Sequence, residues 1–178
     1  MKNILLIQFL LLSIVSSYGQ SEERLTLTYD GVEPVIMQVE DKTAEQLYTS
    51  AVNWVKESYK NPDKVLKAEI EYQKIRLNGY SSKAYYWKTL GIPIYYNIEY
   101  TIEVSFKDGR YKFEFIIGQA YTQTGDKAFS YKNFYKNNGQ VRKMYKDSKL
   151  GLENTMNNLL LSFHLYVSGE AKNIDSDW

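Results

Sequence analysis

Two pairs of glutamates have a spacing at which acid–base chemistry on a sheet would be conceivable. Glu69 and Glu71 are two residues apart and Glu99 and Glu103 are four apart, so each pair would share one face of an extended strand. Glycoside hydrolysis uses two carboxyl groups about 5–10 Å apart across a cleft. Alternating carboxylates on a strand are more typical of a solvated sheet face, and we expect that role for both pairs.

His164 is the sole histidine, and the sequence contains no cysteine. A histidine-based triad or metal site needs histidine or cysteine partners that this chain does not have. Because His164 stands between Phe163 and Leu165 in an apolar helical pattern, we expect it to have a structural role. The sequence therefore predicts no catalytic residue, no metal site and no cofactor, and it excludes disulfide bonds.

Aromatic residues are the best candidates for a binding surface. The chain has 17 Tyr, 7 Phe and 3 Trp, a bias typical of half-buried strand positions, and three rings are consecutive at Tyr85, Tyr86 and Trp87. Glycine and proline follow closely, so we expect residues 80–97 to be irregular. Rings in such a loop can stack on a sugar or fill a partner's pocket. They can also cover a sheet edge, and both interpretations stay open.

A basic segment lies between Lys127 and Lys149. Residues 126–149 hold seven basic and two acidic side chains, a pattern that can attract an anionic partner such as nucleic acid or lipopolysaccharide. Residues 20–45 carry seven acids against two bases, so the excess is balanced within the chain. We therefore expect a solvated face and no nucleic-acid partner.

Residues 1–19 have the pattern of an export signal. Lys2 precedes a run of twelve mainly apolar residues, and Ser17 and Gly19 place small residues where signal peptidase recognises them. The run is shorter than the about 20 residues that a transmembrane helix needs. Cleavage before Gln20 would deliver the chain to the periplasm or the extracellular space, without the cysteine that a lipoprotein anchor requires.

Residues 20–178 have the size and composition of one soluble domain. Removing 19 of 178 residues leaves 159, enough for a single core. Lys2 is the one charged residue removed, so 21 basic residues stand against 21 acidic ones and the formal net charge is zero. We expect no integral membrane segment in this part, and we expect the tail, residues 170–178, to fray.

Two segments have the apolar periodicity of amphipathic helices. Thr43 and Gln46 form a capping box at the start of the first, which ends before Pro62. The second spans about residues 150–168 and ends at Gly169. The apolar residues spaced three to four apart are Leu47, Ala51, Trp54 and Val55 in the first helix, and Leu152, Met156, Leu159, Leu160, Phe163 and Val167 in the second.

The strongest strand pattern is a β-hairpin over residues 98–117. Apolar and polar residues alternate on both sides of Asp108–Gly109, a pair typical of the type I′ turn, in which both central residues have positive φ. Glu103 would face Glu114, a mild repulsion that Lys112 on the diagonal can relieve. The apolar pairs in the predicted register are Phe106 with Tyr111, Val104 with Phe113, and Ile102 with Phe115.

Shorter alternating segments complete the pattern. Residues 34–40 are a predicted strand, and residues 65–77 are one strand or two short strands bent near Gln73, ending at Asn78–Gly79. Residues 21–30 are an edge strand or an ordered arm. Residues 118–149 are expected to be mainly loop. The order of strands, helix, strands and helix indicates an α+β fold, with an antiparallel sheet and two main helices packed on one face.

Three segments together resemble a known family of exported bacterial proteins. They are the helix over residues 43–59, the strand over 75–79, and the hairpin over 100–112 with Phe-Lys-Asp-Gly-Arg-Tyr at its turn. The family is a domain of unknown function with a TBP-like fold, and the resemblance covers residues 33–115 best. It implies a curved antiparallel sheet with helices across one side. It supplies no activity, because a shared topology does not define a function.

These observations favour a non-enzymatic binding or interaction module of the cell envelope, with Tyr85, Tyr86 and Trp87 as binding residues. Its partner would be an envelope protein or a glycan. The alternative is a carboxylate-dependent hydrolase of envelope polymers that uses glutamates such as Glu69 and Glu99. The sequence leaves the oligomeric state open.

Overall fold

The fold is built on a five-stranded antiparallel sheet, in a computed structural model that describes residues 23–128 and 130–170. The predicted export signal and residues 171–178 of the predicted frayed tail lie outside the described residues. The strands are β1 (Thr26–Leu27), β2 (Val32–Glu33), β3 (Val35–Gln38), β4 (Leu66–Ile70), β5 (Lys74–Thr89), β6 (Ile92–Lys107) and β7 (Arg110–Thr122). The large sheet has the order β3–β7–β6–β5–β4, and β1 pairs with β2 in a separate ladder.

The helices are α1 (Ala44–Ser58), the four-residue α2 (Pro62–Val65) and α3 (Lys146–Ser168), with 3₁₀ turns at Tyr131–Phe134 and Lys143–Tyr145. The predicted apolar stripes of α1 and α3 are buried, apart from Leu159, which is partly buried. Trp54 of α1 meets Phe163 of α3 edge to face, with ring centroids 5.2 Å apart. These helices cover one side of a curved antiparallel sheet, which confirms the predicted α+β fold.

The ends of both long helices follow the predicted chemistry. The Thr43 side chain accepts the N–H of Gln46, and the Gln46 side chain accepts the N–H of Thr43, so the capping box is present. Gly169 ends α3 with φ of 88°. The Lys42 ammonium donates to the carbonyl of Val167 at 2.6 Å, which places a cation where the helix dipole is negative.

The β6–β7 hairpin has the predicted register, with all three apolar pairs opposite each other. Glu103 also faces Glu114, but the neighbouring strand relieves the repulsion. Lys74 and Arg76 of β5 both form ion pairs with Glu103, while Lys112 pairs with Glu114 at 2.8 Å. The hydrogen bond from Lys74 is the main reason that the pKa of Glu103 is lowered.

The turn at Asp108–Gly109 differs from the predicted type I′. Of its two central residues only Gly109 has a positive φ, at 73°. The carboxylate of Asp108 accepts the N–H of Ala44 at 2.8 Å, and the N–H of Gly109 donates to the carbonyl of Lys42 at 2.8 Å. These bonds tie the turn to the start of α1, and we attribute its conformation to them.

Strand β5 continues through Asn78–Gly79, where the sequence pattern predicts its end. Gly79 pairs with Tyr100, whose ring crosses over it, and a Cβ at position 79 would lie 2.3 Å from that ring. The Tyr100 ring stacks on Phe115 with centroids 5.0 Å apart, and its hydroxyl lies 3.0 Å from that of Tyr59. This glycine therefore permits the close approach of a ring and does not form a turn.

The prediction that residues 80–97 are irregular is wrong. They form the distal parts of β5 and β6, which pair up to a two-residue turn at Leu90–Gly91. A bulge after Ser81 interrupts the pairing, and the side-chain oxygen of Asn97 accepts the N–H of Lys83 there at 2.9 Å. The bulge shifts the two-residue period, which is why alternation is not visible in the sequence.

Candidate binding surface

The distal part of the β5–β6 hairpin, residues 83–96, is held at its base by α3. The hydroxyl of Thr155 donates to the carbonyl of Ala84 at 2.6 Å, and the hydroxyl of Ser148 donates to the carbonyl of Tyr86 at 2.7 Å. Because β4 pairs only with the first residues of β5, these carbonyls lie on an open sheet edge that the α3 side chains occupy. The base of the hairpin is thereby fixed to the rest of the fold.

The inner face of this base is a layer of packed rings. Tyr85 stacks on Tyr96 with centroids 5.1 Å apart and meets Phe134 edge-on at 5.5 Å. Trp87, on the same face, lies 5.5 Å from the ring of Tyr145. Burial raises the pKa of the Tyr85 hydroxyl, which has no hydrogen-bond partner among the described residues. The layer continues the hydrophobic core into the hairpin.

The outer face carries two tyrosines with an ammonium group over each. Tyr86 and Tyr95 contact with centroids 5.8 Å apart. The Nζ of Lys88 lies 5.6 Å from the centroid of Tyr86, and the Nζ of Lys83 lies 5.7 Å from that of Tyr95. Lys88 also reaches Asp147 of α3 at 3.5 Å. Cation–π attraction therefore places both ammonium groups at the level of the tyrosine pair.

Beyond these rings the hairpin ends in residues 89–94, which we call the apolar tip. Leu90 is 98% exposed and Ile92 is 67% exposed. Leu90 and Gly91 both have positive φ, at 51° and 82°, as a type I′ turn requires. A left-handed backbone places the Cβ of leucine too close to a carbonyl oxygen, at a cost of about 1–2 kcal/mol. The tip therefore presents a strained and almost fully exposed leucine.

The structure separates the three residues predicted to bind. Tyr85 is 2% exposed and belongs to the core, whereas Tyr86 and Trp87 are half-buried and lie on opposite faces of β5. Consecutive strand residues alternate between faces, so the three do not form one surface. The most exposed large hydrophobic residues of the same hairpin are Leu90 and Ile92, which sequence reasoning missed. The available signal was Leu90–Gly91, which stands between two aromatic segments of similar length and could have indicated a hairpin turn.

The glutamates considered for hydrolysis lie apart. Glu69 is on the helix side of the sheet and accepts a hydrogen bond from Tyr48 at 2.7 Å. Glu99 is on the opposite side and accepts one from Tyr121 at 3.1 Å. Glu103 shares the side of Glu99, but four residues at about 3.3 Å each separate them by about 13 Å along the strand. These positions do not match the facing carboxyl groups of a glycosidase.

His164 contacts the core in the structure. Its Nδ1 lies 3.0 Å from the hydroxyl of Tyr111, which is buried and so needs a hydrogen-bond partner. Within residues 23–128 and 130–170, no group of three His, Asp or Glu side chains is placed to hold a metal ion. No helix in that part of the chain combines the length and the apolar character needed to cross a membrane.

A shallow groove of about 510 Å³ lies between α1 and α3. Across it the indole of Trp54 donates to the hydroxyl of Ser162 at 3.2 Å, and the hydroxyl of Tyr166 donates to Glu57 at 2.6 Å. Burial and the bond to Glu57 raise the pKa of Tyr166 to about 12. These polar groups are engaged in joining the two helices, which makes the groove a weaker candidate than the hairpin.

Residues 35–116 match the model of a family described as a domain of unknown function (DUF4468) with TBP-like fold. That range agrees within two residues at each end with the range 33–115 of the resemblance. Residues 35–116 carry this domain. The DUF4468 segment includes the apolar tip, whereas α3, which anchors the hairpin, follows it in the chain.

Two solved structures share the fold of this chain. A DUF4468 family protein from Bacteroides ovatus ATCC 8483 is 13% identical, with a TM-score of 0.57 over 76% of this chain and 85% of that one. A TBP-like protein from Parabacteroides distasonis ATCC 8503 is 17% identical, with a TM-score of 0.53 over 79% and 92%. Identities this low show the fold alone. No curated protein matches the chain.

Proposed function

We propose that this chain is an exported, non-enzymatic binding module of the cell envelope whose contact surface is the apolar tip. The observation that carries the proposal is Leu90. Asparagine or glycine would form the same turn without strain, so leucine lowers stability here and makes little contact in return. Backbone strain at an exposed position is typical of a functional residue. The envelope location rests on the export pattern of residues 1–19.

The anchored base supports a binding role. Ser148 and Thr155 hold two carbonyls of β5, and the inner rings pack against the core, so the tip extends from a fixed platform. A preorganised contact element loses little conformational entropy when it binds. Tyr86 and Trp87, two of the three binding residues predicted from sequence, would then border the contact surface. Its partner would be a component of the envelope.

Site-specific photocrosslinking in exporting cells tests the proposal. A photoreactive residue is placed at Ile92 and, as a matched control, at Ile70, which is 54% exposed on β4 near the other end of the sheet. We expect adducts with protein or lipid from position 92 that position 70 does not form. Adding Leu90→Glu should remove them. Equal labelling from both positions, or adducts that persist with Leu90→Glu, would contradict a contact at the tip.

Export requires a separate measurement. Cell fractionation should place the chain outside the cytoplasm, and N-terminal sequencing should begin at Gln20. A chain that keeps Met1 and stays in the cytoplasm would contradict the proposed location, while the crosslinking result would still report on the tip.

A further inference from the structure

The side chains of the distal hairpin differ in chemical type with their distance from the Leu90–Gly91 turn. Leu90, Ile92 and Ile94 place exposed aliphatic side chains at its end. Trp87 lies three residues behind Leu90, which at about 3.3 Å per residue is about 10 Å. The pair of Tyr86 and Tyr95 forms the next row. Among the large apolar side chains, the order from the turn is therefore aliphatic, then aromatic, then phenolic, with Trp87 opposite Ile94, while Thr89 and Lys88 are the polar residues of this part of β5.

Positive charge surrounds the aromatic rows. Lys83 and Lys88 hold their ammonium groups over the tyrosine pair, and residues 77–98 contain no acidic residue. The neighbouring segment 142–149, which contacts Trp87 through Tyr145, has four basic residues and one acidic residue. Lys88 and Lys149 form ion pairs with Asp147 and Glu153, and the remaining cations of these segments give this end a positive excess in a chain whose formal net charge is only +1. Such a collar is complementary to anionic headgroups.

We propose that the apolar tip inserts shallowly into an anionic lipid bilayer. The aliphatic end would enter the acyl boundary, the rings would lie among the headgroups, and the ammonium groups would face the phosphates, which is the order of polarity across a membrane interface. This names the partner of the surface proposed above and rests on that proposed function. Apolar side chains occur on every side of the tip, since Ile92 and Ile94 share one face, Pro93 occupies the other and Leu90 lies at the end. A surrounding lipid phase accommodates all of them, whereas a protein pocket would have to enclose the tip completely.

Backbone hydrogen bonding limits how deep the hairpin can go. In the described part of the chain, β4 pairs with β5 only up to Leu77, and β7 pairs with β6 only as far as Tyr96. Open sheet edges do not occur within the hydrocarbon region, because their N–H and C=O groups would lose hydrogen bonds to water. Pro93 removes one such donor from the tip. Insertion is therefore restricted to about 5–10 Å, the depth of an interfacial element.

Co-sedimentation of the full chain with lipid vesicles tests the inference. The vesicles contain phosphatidylethanolamine with phosphatidylglycerol, or phosphatidylcholine alone. Ile92→Glu and Ile70→Glu are a matched pair, because both change an exposed strand isoleucine to the same charged residue. Their comparison also cancels any contribution of residues 1–19. We expect the wild type and Ile70→Glu to bind the anionic vesicles, and Ile92→Glu to bind about tenfold less or weaker still.

The contribution of Lys83 and Lys88 to vesicle binding is measured separately. Replacing Lys83 and Lys88 by Gln should weaken binding to anionic vesicles by about fivefold per charge and reduce its dependence on salt. Phosphatidylcholine vesicles should bind the wild type several-fold more weakly and show no difference between wild type and this double variant. Equal binding to both kinds of vesicle would overturn the anionic preference.

Leu90→Asn is a second variant that removes an apolar side chain from the tip and is expected to stay folded, because asparagine is favoured at this turn position. It covers the case in which Ile92→Glu does not fold. A thermal midpoint at or above that of the wild type, together with weaker vesicle binding, supports the inference, and unchanged binding overturns it. Failure of the wild type to co-sediment, or an equal loss in both glutamate variants, also overturns it.

If vesicles are not bound while position 92 still crosslinks to a protein in cells, the lipid inference fails and the proposed function stands. If position 92 forms no adduct, the proposed function itself fails.

Discussion

The two turns that flank β6 differ in a way that their sequences do not suggest. Asp108–Gly109 is the stronger turn signal, yet only its glycine has positive φ, and both residues are bonded to the segment that starts α1. Leu90–Gly91 is the weaker signal, yet both residues have positive φ and Leu90 is almost fully exposed. The bound turn adopts the conformation that its tertiary contacts select. The free turn adopts the conformation that matches the twist of its own strands.

Another turn, between β4 and β5, shows how backbone strain can be offset by packing. Tyr72, in the turn between β4 and β5, has a positive φ of 59°, and its ring packs edge-on against Tyr48 with centroids 5.6 Å apart. Leu90 has similar strain and remains exposed. Packing against Tyr48 offsets the backbone strain at Tyr72, whereas no packing within the described part of the chain offsets the strain at Leu90. We take this difference to distinguish a structural turn from a candidate contact element.

The largest expected effect on stability is at Gly79, in the part of the β5–β6 hairpin that packs against the core, compared with Gly91 in its free turn. Gly79→Ala should lower the free energy of unfolding by about 3 kcal/mol, because its Cβ would overlap the buried ring of Tyr100. Gly91→Ala, with nothing within 4 Å of its Cβ, should lose only about 1 kcal/mol through its positive φ. Urea unfolding measures both, and equal losses would remove the distinction between the two parts.

Asp108→Ala should lower the free energy of unfolding by about 1–2 kcal/mol, because α1 loses an acceptor for its first N–H and a negative charge near its N-terminus. Asp108→Asn keeps an oxygen acceptor and should lose less. The measurement is chemical denaturation of the two variants side by side. A loss below about 0.5 kcal/mol for the alanine variant would show that the turn is not tied to the helix.

Tyr85→Phe should raise the free energy of unfolding by about 1 kcal/mol, because it removes a buried hydroxyl without a partner among the described residues. Tyr135→Phe is the matched control. The Tyr135 hydroxyl donates to the carbonyl of Leu27 at 2.6 Å, so its removal should lower stability by about 1 kcal/mol. Thermal unfolding should show shifts of opposite sign, and a loss in both variants would mean that the Tyr85 hydroxyl is paired.

The smallest expected effect is at the free turn. Leu90→Asn should raise the free energy of unfolding by about 0.5–1 kcal/mol, because asparagine tolerates the left-handed backbone and no packing is lost. Leu161→Asn, at an exposed position inside α3, should instead lose about 0.5 kcal/mol through its lower helix propensity. A loss of stability in Leu90→Asn would show that the tip is packed, and the contrast between the two turns would fail.

Elements governed by local rules were predictable from sequence. The capping box of Thr43 and Gln46, the helical stripe ending at Gly169 and the register of the β6–β7 hairpin depend on residues near in sequence, and all three are confirmed. The errors occur where distant residues decide. Gly79 has the sequence of a turn but makes room for Tyr100, and the bulge after Ser81 disrupts the alternation of the distal strands.

The binding residues predicted from sequence lie in the same hairpin as the proposed apolar tip, but not at its most exposed end. Tyr85, Tyr86 and Trp87 are consecutive in sequence, yet the alternation of the strand places Tyr85 and Trp87 on the inner face, Tyr85 in the core, and Tyr86 on the outer face. The exposed surface belongs to Leu90 and Ile92, whose aliphatic side chains would ordinarily be assigned to a core. Exposure is a property of the whole fold, and so the local pattern does not contain it.

Periodicity, capping and turn chemistry were enough to establish the α+β class, the two helices and the strongest hairpin, because these properties depend on neighbours within a few residues. The resemblance to a TBP-like domain of unknown function rested instead on three segments that are similar to a known family, and residues 35–116 match the model of that family. The tertiary structure decided which glycines form turns, which end of the sheet is tied to the helices, and that the β5–β6 hairpin extends beyond its neighbours. Those outcomes depend on contacts between α1, α3 and strands far apart in the chain, which no local pattern records.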